Sequence, residues 1–195
     1  MTSSDWMDSC TALFLTALDG VPDEGFAAPS LLPGWSRHHV VAHVHFNALA
    51  LGRLVTWART GVESRMYDGP EQRAAEIEGG LSVPPDQLRA LVHRSAEELA
   101  AGLAAVPDEA WSHLVVTARG REVPASQVPW LRAREVAVHA VDLSVGIGFA
   151  DLPAGLLGEL GAEAVAMHGA AGAAAPLAAW LTGRSERAPQ LAAWL

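Results

Sequence analysis

Apolar residues Trp6, Cys10, Leu13, Leu15 and Leu18 recur at roughly helical spacing in "DWMDSCTALFLTALDG" and predict a first helix, with Ser3 or Ser4 as N-cap and Gly20 as stop. After the loop "LLPGW", Ser36 caps a long helix that runs through "RHHVVAHVHFNALALGRLVTWART" to Gly61. The stretch "DGPEQRAAEIEGG" has helical propensity, "LSVPP" interrupts it, and "PDQLRALVHRSAEELAAGLAAV" resumes with Pro85 near its first turn, so the third element is one kinked helix or two. In "HLVVTARGREVPAS", β-branched residues flank Arg119-Gly120 and predict a short hairpin or irregular arm. Pro129 stands near the start of "VPWLRAREVAVHAVDLSVGIG", a further core helix ending near Gly146. The tail holds two more helical stretches separated by the small-residue run "GAAGAAAP". Four long amphipathic helices make a bundle, in which facing helices can project ligands into a common interior.

Half of the 195 residues are apolar, enough for one substantial core and a small appendage. The formal net charge of -9 and the lack of any Lys or Arg cluster argue against nucleic acid, whose phosphates need a basic face, and favour a small-molecule partner. The N-terminal stretch has no positive region followed by an apolar run, and no later stretch reaches ~18 uninterrupted apolar residues, so neither a signal peptide nor a membrane span is expected. A cytoplasmic location follows as the expectation. A single cysteine, Cys10, excludes an internal disulfide and a cysteine-rich metal site, so any metal must rely on His and carboxylate. All 13 basic residues are Arg, which in an Ala- and Gly-rich chain reflects coding bias as much as chemistry.

Glu135 and His139, four apart, lie about one turn apart on one helix face. Their neighbours Val136, Val138, Ala140, Val141 and Leu143 are apolar, so the helix is covered on more than one side, and a carboxylate there needs a cation, a hydrogen-bond partner or a metal. Pairing of Glu135 with Arg132 or Arg134, with His139 a satisfied core histidine, is one solution. Metal ligation is the other. "HHVVAHVHFN" packs His38, His39, His43 and His45 into eight residues. His39, His43 and Asn47 share a face, whereas His45 is rotated about 200° from His43 and, with His38, reads as a surface residue. His43, between Ala42 and Val44, is the deepest. Met by Glu135 and His139 across the bundle, it completes a two-His, one-carboxylate site with vacant positions, as expected for a catalytic zinc or a similar divalent ion. His39 stays open as an alternative ligand. Asp142, one turn beyond His139, reads as a surface residue more readily than as an orienting group for a ligand.

The segments "LLPGWSRHHVVAHVHFNALAL", "MYDGPEQRAAEIE", "VPWLRAREVAVHAVDL" and "LAAWLTGR" resemble those of the mycothiol-dependent maleylpyruvate isomerase family over roughly residues 5 to 150. The resemblance implies a mainly α fold: a DinB-like metal-binding four-helix bundle over residues 1–148, and a shortened C-terminal segment, 149–195, as a reduced α/β appendage. It places the family's metal-ligating histidine on His43 and its E-x-x-x-H pair on Glu135 and His139. It also marks Arg73 as an active-site residue, suited to a dicarboxylate substrate through a planar two-pronged fork. Without the family, Arg73 reads as a helix arginine paired with Glu76 or Glu78, and Met66 and Tyr67 read as packing. Arg184, in "LAAWLTGR", is a further candidate for substrate binding. Family isomerases carry a C-terminal α/β domain, whereas here the strand-forming run after that element is reduced to "SERAPQLAAWL".

The implied reaction is cis-trans isomerisation of maleylpyruvate to fumarylpyruvate in aromatic-acid breakdown through gentisate, with Zn2+ or another divalent metal and mycothiol as cofactors. A thiolate adds to one carbon of the double bond, the resulting single bond rotates, and expulsion of the thiol restores the double bond in trans. Cys10 sits among apolar neighbours and reads as a buried small residue, so the thiol comes from a low-molecular-weight partner. Arg73 would steady the substrate carboxylate and the developing enolate. A metal-dependent thiol S-transferase acting on another electrophile and a non-catalytic regulatory bundle are the alternatives. Oligomeric state is open, since Trp180 and Trp194 can pack on the bundle or on another chain.

Overall fold

The computed structural model describes residues 2–192 and divides into two compact units, one ending at Asp151 and the other starting at Leu152. The first is a bundle of α1 (Ser3–Asp19), α2 (Arg37–Thr60), α4 (Pro85–Ala104) and α5 (Val128–Asp142), with the shorter α3 (Pro70–Gly80) laid on α2. α1 packs on α5 and α4, and α2 packs on α4 and α5. The third sequence element is therefore two helices, each opening on a proline, where the missing N–H costs nothing.

Thr2, one residue earlier than expected, caps α1, in a capping box closed by Asp5. The buried seam of α1 is Met7, Cys10, Phe14, Ala17 and Leu18, so Phe14 faces inward where Leu13 and Leu15 were expected. α2 is covered on several sides: Val40, Val41, Ala42, His43 and Val44 are consecutive and all buried. α5 ends at Asp142, short of Gly146, because Ser144 turns into the left-handed region at φ 54°. Strands β1 (Leu114–Val116) and β2 (Glu122–Pro124) pair antiparallel with Val115 opposite Val123, the hairpin expected around Arg119-Gly120.

Leu31, in the loop before α2, and Arg37, the first residue of α2, bind to the end of α5. Leu31 N–H donates to the Asp142 carbonyl at 2.9 Å, and the Arg37 guanidinium donates to the carbonyls of Leu143 and Ser144 at 2.7 and 2.9 Å. These carbonyls belong to the unsatisfied C-terminal end of a helix, where a cation is favourable. α3 approaches α2 so closely that a Cβ on Gly80 would lie 2.7 Å from the Ala42 Cβ. Arg53 adds a second tie, donating to the Met66 carbonyl and lying 3.5 Å from Glu76 of α3. These ties carry Arg73 over α2.

The second unit contains α6 (Ala154–His168) and α7 (Ala174–Leu181). Among the described residues it is helical, and the strands lie in the bundle unit, so the appendage expected as α/β is α there. The run Ala154–Leu181 is long and apolar enough to cross a membrane by length and composition, which the count of uninterrupted apolar residues had not indicated. Gly172, at φ 101°, breaks it. The 15 residues of α6 rise about 22 Å and the 8 of α7 about 12 Å, and each falls short of the ~30 Å hydrocarbon layer. Trp180 is exposed, and Trp194 lies outside the described residues.

Candidate metal centre

His43 of α2 and Glu135 and His139 of α5 converge, with one potential ligand atom from each lying within 4.8 Å of the others. The i, i+4 spacing on α5 puts Glu135 and His139 on one face, and α2 packs against that face. Glu135 Oε2 is the centre: His43 Nε2 lies 3.0 Å from it and His139 Nε2 3.4 Å. The two imidazoles meet edge to face, with centroids 4.8 Å apart and planes at 89°. Both histidines are buried, and the Glu135 side chain keeps 13% of its surface exposed.

The remaining atoms determine which lone pairs are available. His139 Nδ1 is 2.8 Å from Asp142 Oδ2, so the ring donates there, and its buried Nε2 has no hydrogen-bond partner. A buried polar atom without a partner, facing a carboxylate and a second imidazole, fits a cation. Metal-bound histidines commonly donate their other nitrogen to a carboxylate in this way. Asp142 is buried, which corrects its reading as a surface residue. Its i+3 offset from His139 was the signal. On the other side, the Arg73 guanidinium, from the first turns of α3, lies 3.4 Å from His43 Nδ1.

Charge follows from the same contacts. Burial pushes His43 down to about 4, only partly offset by its hydrogen bond to Glu135. Burial also opposes a charge on His139, but the hydrogen bond to Asp142 and the nearby Glu135 prevail and push it up to about 9. Burial works against an ionised Glu135 as well, yet the two imidazoles beside it hold the carboxyl well below its ordinary range. Two imidazole nitrogens and one ionised oxygen from three side chains suit zinc or a similar divalent ion, and three protein ligands leave its fourth position to a non-protein group.

The other sequence candidates fall elsewhere. His39 Nδ1 accepts the Ser36 N–H at 3.1 Å and lies 2.7 Å from the Ser36 hydroxyl, so it completes the cap of α2 and is no part of the cluster. His45 is buried, not at the surface, with Nδ1 3.0 Å from the Ser95 hydroxyl. His38 is likewise half-buried, edge-on to Phe26. Arg132 is fully buried and donates to the Val44 carbonyl and to Asn47 Oδ1, both at 2.9 Å, and even with burial pulling it down to about 10 it stays a cation at neutral pH. Glu76 contacts Arg53 and Gln72, and Glu78 faces His39, so Arg73 turns to His43 and not to the helix carboxylates. Met66 is buried and its sulfur accepts the Ala118 N–H. Tyr67 is half-buried, its phenol pushed up to about 12 by burial, so it stays protonated. Cys10 is buried, as expected, and burial raises its thiol. Trp35 went unremarked in the sequence: it stacks on His39 and meets the edge of His43 at 5.8 Å. Arg184 belongs to the second unit, where its guanidinium donates to the Thr182 carbonyl, and His43, Glu135, His139 and Arg73 belong to the first.

Residues 7–144 match the sequence family described as the mycothiol maleylpyruvate isomerase N-terminal domain. Among solved structures, a crystal structure of the mycothiol-dependent maleylpyruvate isomerase is 42% identical, with a TM-score of 0.82, over 84% of this chain and 68% of that one. A histidine-to-alanine mutant of the mycothiol-dependent maleylpyruvate isomerase matches with the same values. YfiT from Bacillus subtilis, described as a probable metal-dependent hydrolase with an unusual four-helix bundle topology, matches with a TM-score of 0.58 at 17% identity, over 73% of this chain and 83% of that one, a likeness of fold alone. No protein with a curated description matches the chain significantly.

Proposed function

Because the chain belongs to the mycothiol maleylpyruvate isomerase N-terminal domain family, we propose that it is an enzyme, a thiol-dependent isomerase that converts maleylpyruvate to fumarylpyruvate. The observation that carries this is the convergence of His43, Glu135 and His139, with the Arg73 guanidinium 3.4 Å from His43 Nδ1. His43 Nε2, His139 Nε2 and the Glu135 carboxylate would hold a divalent ion, with zinc the natural candidate for this donor set. Such an ion supplies Lewis acidity and lowers the pKa of a thiol that it binds.

The side chains divide the remaining work. Glu135 contributes the negative charge that a divalent cation needs in a buried place. Asp142 holds the His139 ring with Nε2 inward, and the fixed ring makes the geometry available without reorganisation. The Arg73 guanidinium lies 3.4 Å from His43 Nδ1, and its fork suits a substrate carboxylate. A guanidinium beside the reacting double bond also stabilises the enolate that builds up as a thiolate adds. The thiol is taken up in the addition and returned in the elimination, so a low-molecular-weight thiol, mycothiol by kinship, serves as cofactor and is not consumed. Cys10, buried on α1, is no substitute. Cytoplasm is the compartment that keeps such thiols reduced, and a place in aromatic-acid breakdown through gentisate follows from the substrate. The bundle that ends near residue 148 carries this chemistry, and Arg184 lies in the segment beyond it, where its guanidinium donates to the Thr182 carbonyl.

A spectrophotometric assay of the zinc-loaded full chain with maleylpyruvate, with and without mycothiol, tests the proposal. Conversion that requires the thiol is the expected result. No conversion by folded, metal-replete protein in the presence of mycothiol would refute it.

A further inference from the structure

We propose that Arg73 and a metal ion exclude each other at His43, so that metal loading detaches the Arg73 guanidinium and frees it for the substrate. This depends on the metal centre proposed above. A guanidinium has only N–H donors, so its contact with His43 Nδ1 at 3.4 Å uses the lone pair of that nitrogen and leaves the proton of the neutral ring on Nε2. That proton points at Glu135 Oε2, 3.0 Å away. Arg73, His43 and Glu135 thereby form a closed donor-to-acceptor relay, and His43 presents a proton where a metal needs a lone pair.

The two histidines of the centre are set in opposite senses. The outer nitrogen of His139 faces an acceptor, Asp142, which holds a proton on Nδ1 and directs Nε2 toward Glu135, 3.4 Å away, the nitrogen a cation would use. The outer nitrogen of His43 faces a donor. Binding a metal at His43 Nε2 moves the ring proton to Nδ1, where it opposes the N–H groups of Arg73, and it adds a divalent charge beside the guanidinium. Turning the ring over is hindered, because His43 is buried between the edge of Trp35 at 5.8 Å and the ring of His139 at 4.8 Å. Arg73 is the movable member: it is half-buried and on a long side chain. Once displaced it remains beside the centre as an unpaired fork, the form in which it can take a carboxylate.

The test is zinc titration of the metal-free full chain against a chelating indicator, for the wild type and for Arg73→Met, Arg73→Gln and Arg73→Lys. Removing a charged hydrogen-bond competitor should tighten zinc binding by about tenfold or more in Arg73→Met and Arg73→Gln. Arg73→Lys, which keeps charge and donors, should stay near the wild type. Nitrogen NMR of labelled histidine should show the His43 proton on Nε2 without metal and on Nδ1 with zinc. Zinc affinity that is unchanged or weaker in both neutral variants, with helical content intact, would overturn the inference while leaving the metal centre standing. A wild-type chain that takes up no zinc would overturn both.

Discussion

Asp142 Oδ2 lies 2.8 Å from His139 Nδ1, three residues back on the same helix, and both side chains are buried. That contact fixes which nitrogen of His139 faces Glu135 and His43. Asp142→Asn keeps an acceptor but loses the charge, and zinc affinity should fall about tenfold, with a larger loss in Asp142→Ala, in line with the ~10–100-fold cost of removing outer partners of metal ligands. Competition with a chelator measures it. Wild-type affinity in Asp142→Ala would show that the contact does not orient the ligand.

Metal uptake should depend steeply on pH. Without metal, His139 carries its proton up to about 9, and that proton must leave before Nε2 can bind a cation. Zinc affinity should therefore rise about tenfold per pH unit from 6 to 8, with one proton released per ion. The stability of the metal-free chain should run the other way. The His139 pKa is raised on folding, so its contribution is complete below about 6.5, the unfolded value, and is lost as pH rises through about 9. His43 is depressed to about 4, so protonating it in the unfolded chain removes stability as pH falls from about 6.5 toward 4. Denaturant titrations of metal-free protein between pH 4 and 9.5 should give a maximum near neutrality, and a monotonic profile would contradict the assignment.

Gly80→Ala places a methyl 2.7 Å from Ala42 Cβ on a fully buried stretch of α2, so α3 must shift outward and take Arg73 with it. Overpacking of this kind costs about 1–3 kcal/mol. Activity should fall through KM for the dicarboxylate. Unchanged melting temperature and kinetics would mean that α3 is not held by this approach.

Cys10→Ala should preserve thiol-dependent conversion, because the thiol is buried on α1 with its pKa raised. Assaying the variant with and without external thiol is sufficient. Loss of activity with a normal fold would place Cys10 in the reaction.

Helix positions and the placing of Glu135 and His139 on one face were legible because periodicity and i, i+4 spacing are local properties, whereas the choice of His43 over His39 came from the family resemblance. The roles of neighbouring side chains were not. Asp142 and His45 looked like surface residues because a polar side chain on a helix says nothing about what it meets across the bundle. The structure supplies those partners: the ring of His139 for one and the Ser95 hydroxyl for the other. His39 shares the face of His43 in sequence and differs only because Ser36, three residues earlier, takes its Nδ1 at the helix cap. The two-helix tail was legible from the small-residue run, while its strand was an expectation from kinship that the described residues do not bear out.

The central claim, that His43, Glu135 and His139 together hold a divalent ion, is tested most directly by the zinc content of purified protein after loading and desalting. The wild type should retain one zinc per chain, and His43→Ala and Glu135→Ala should retain none while their far-ultraviolet spectra stay helical. One zinc per chain in both variants, or none in the wild type, would contradict it.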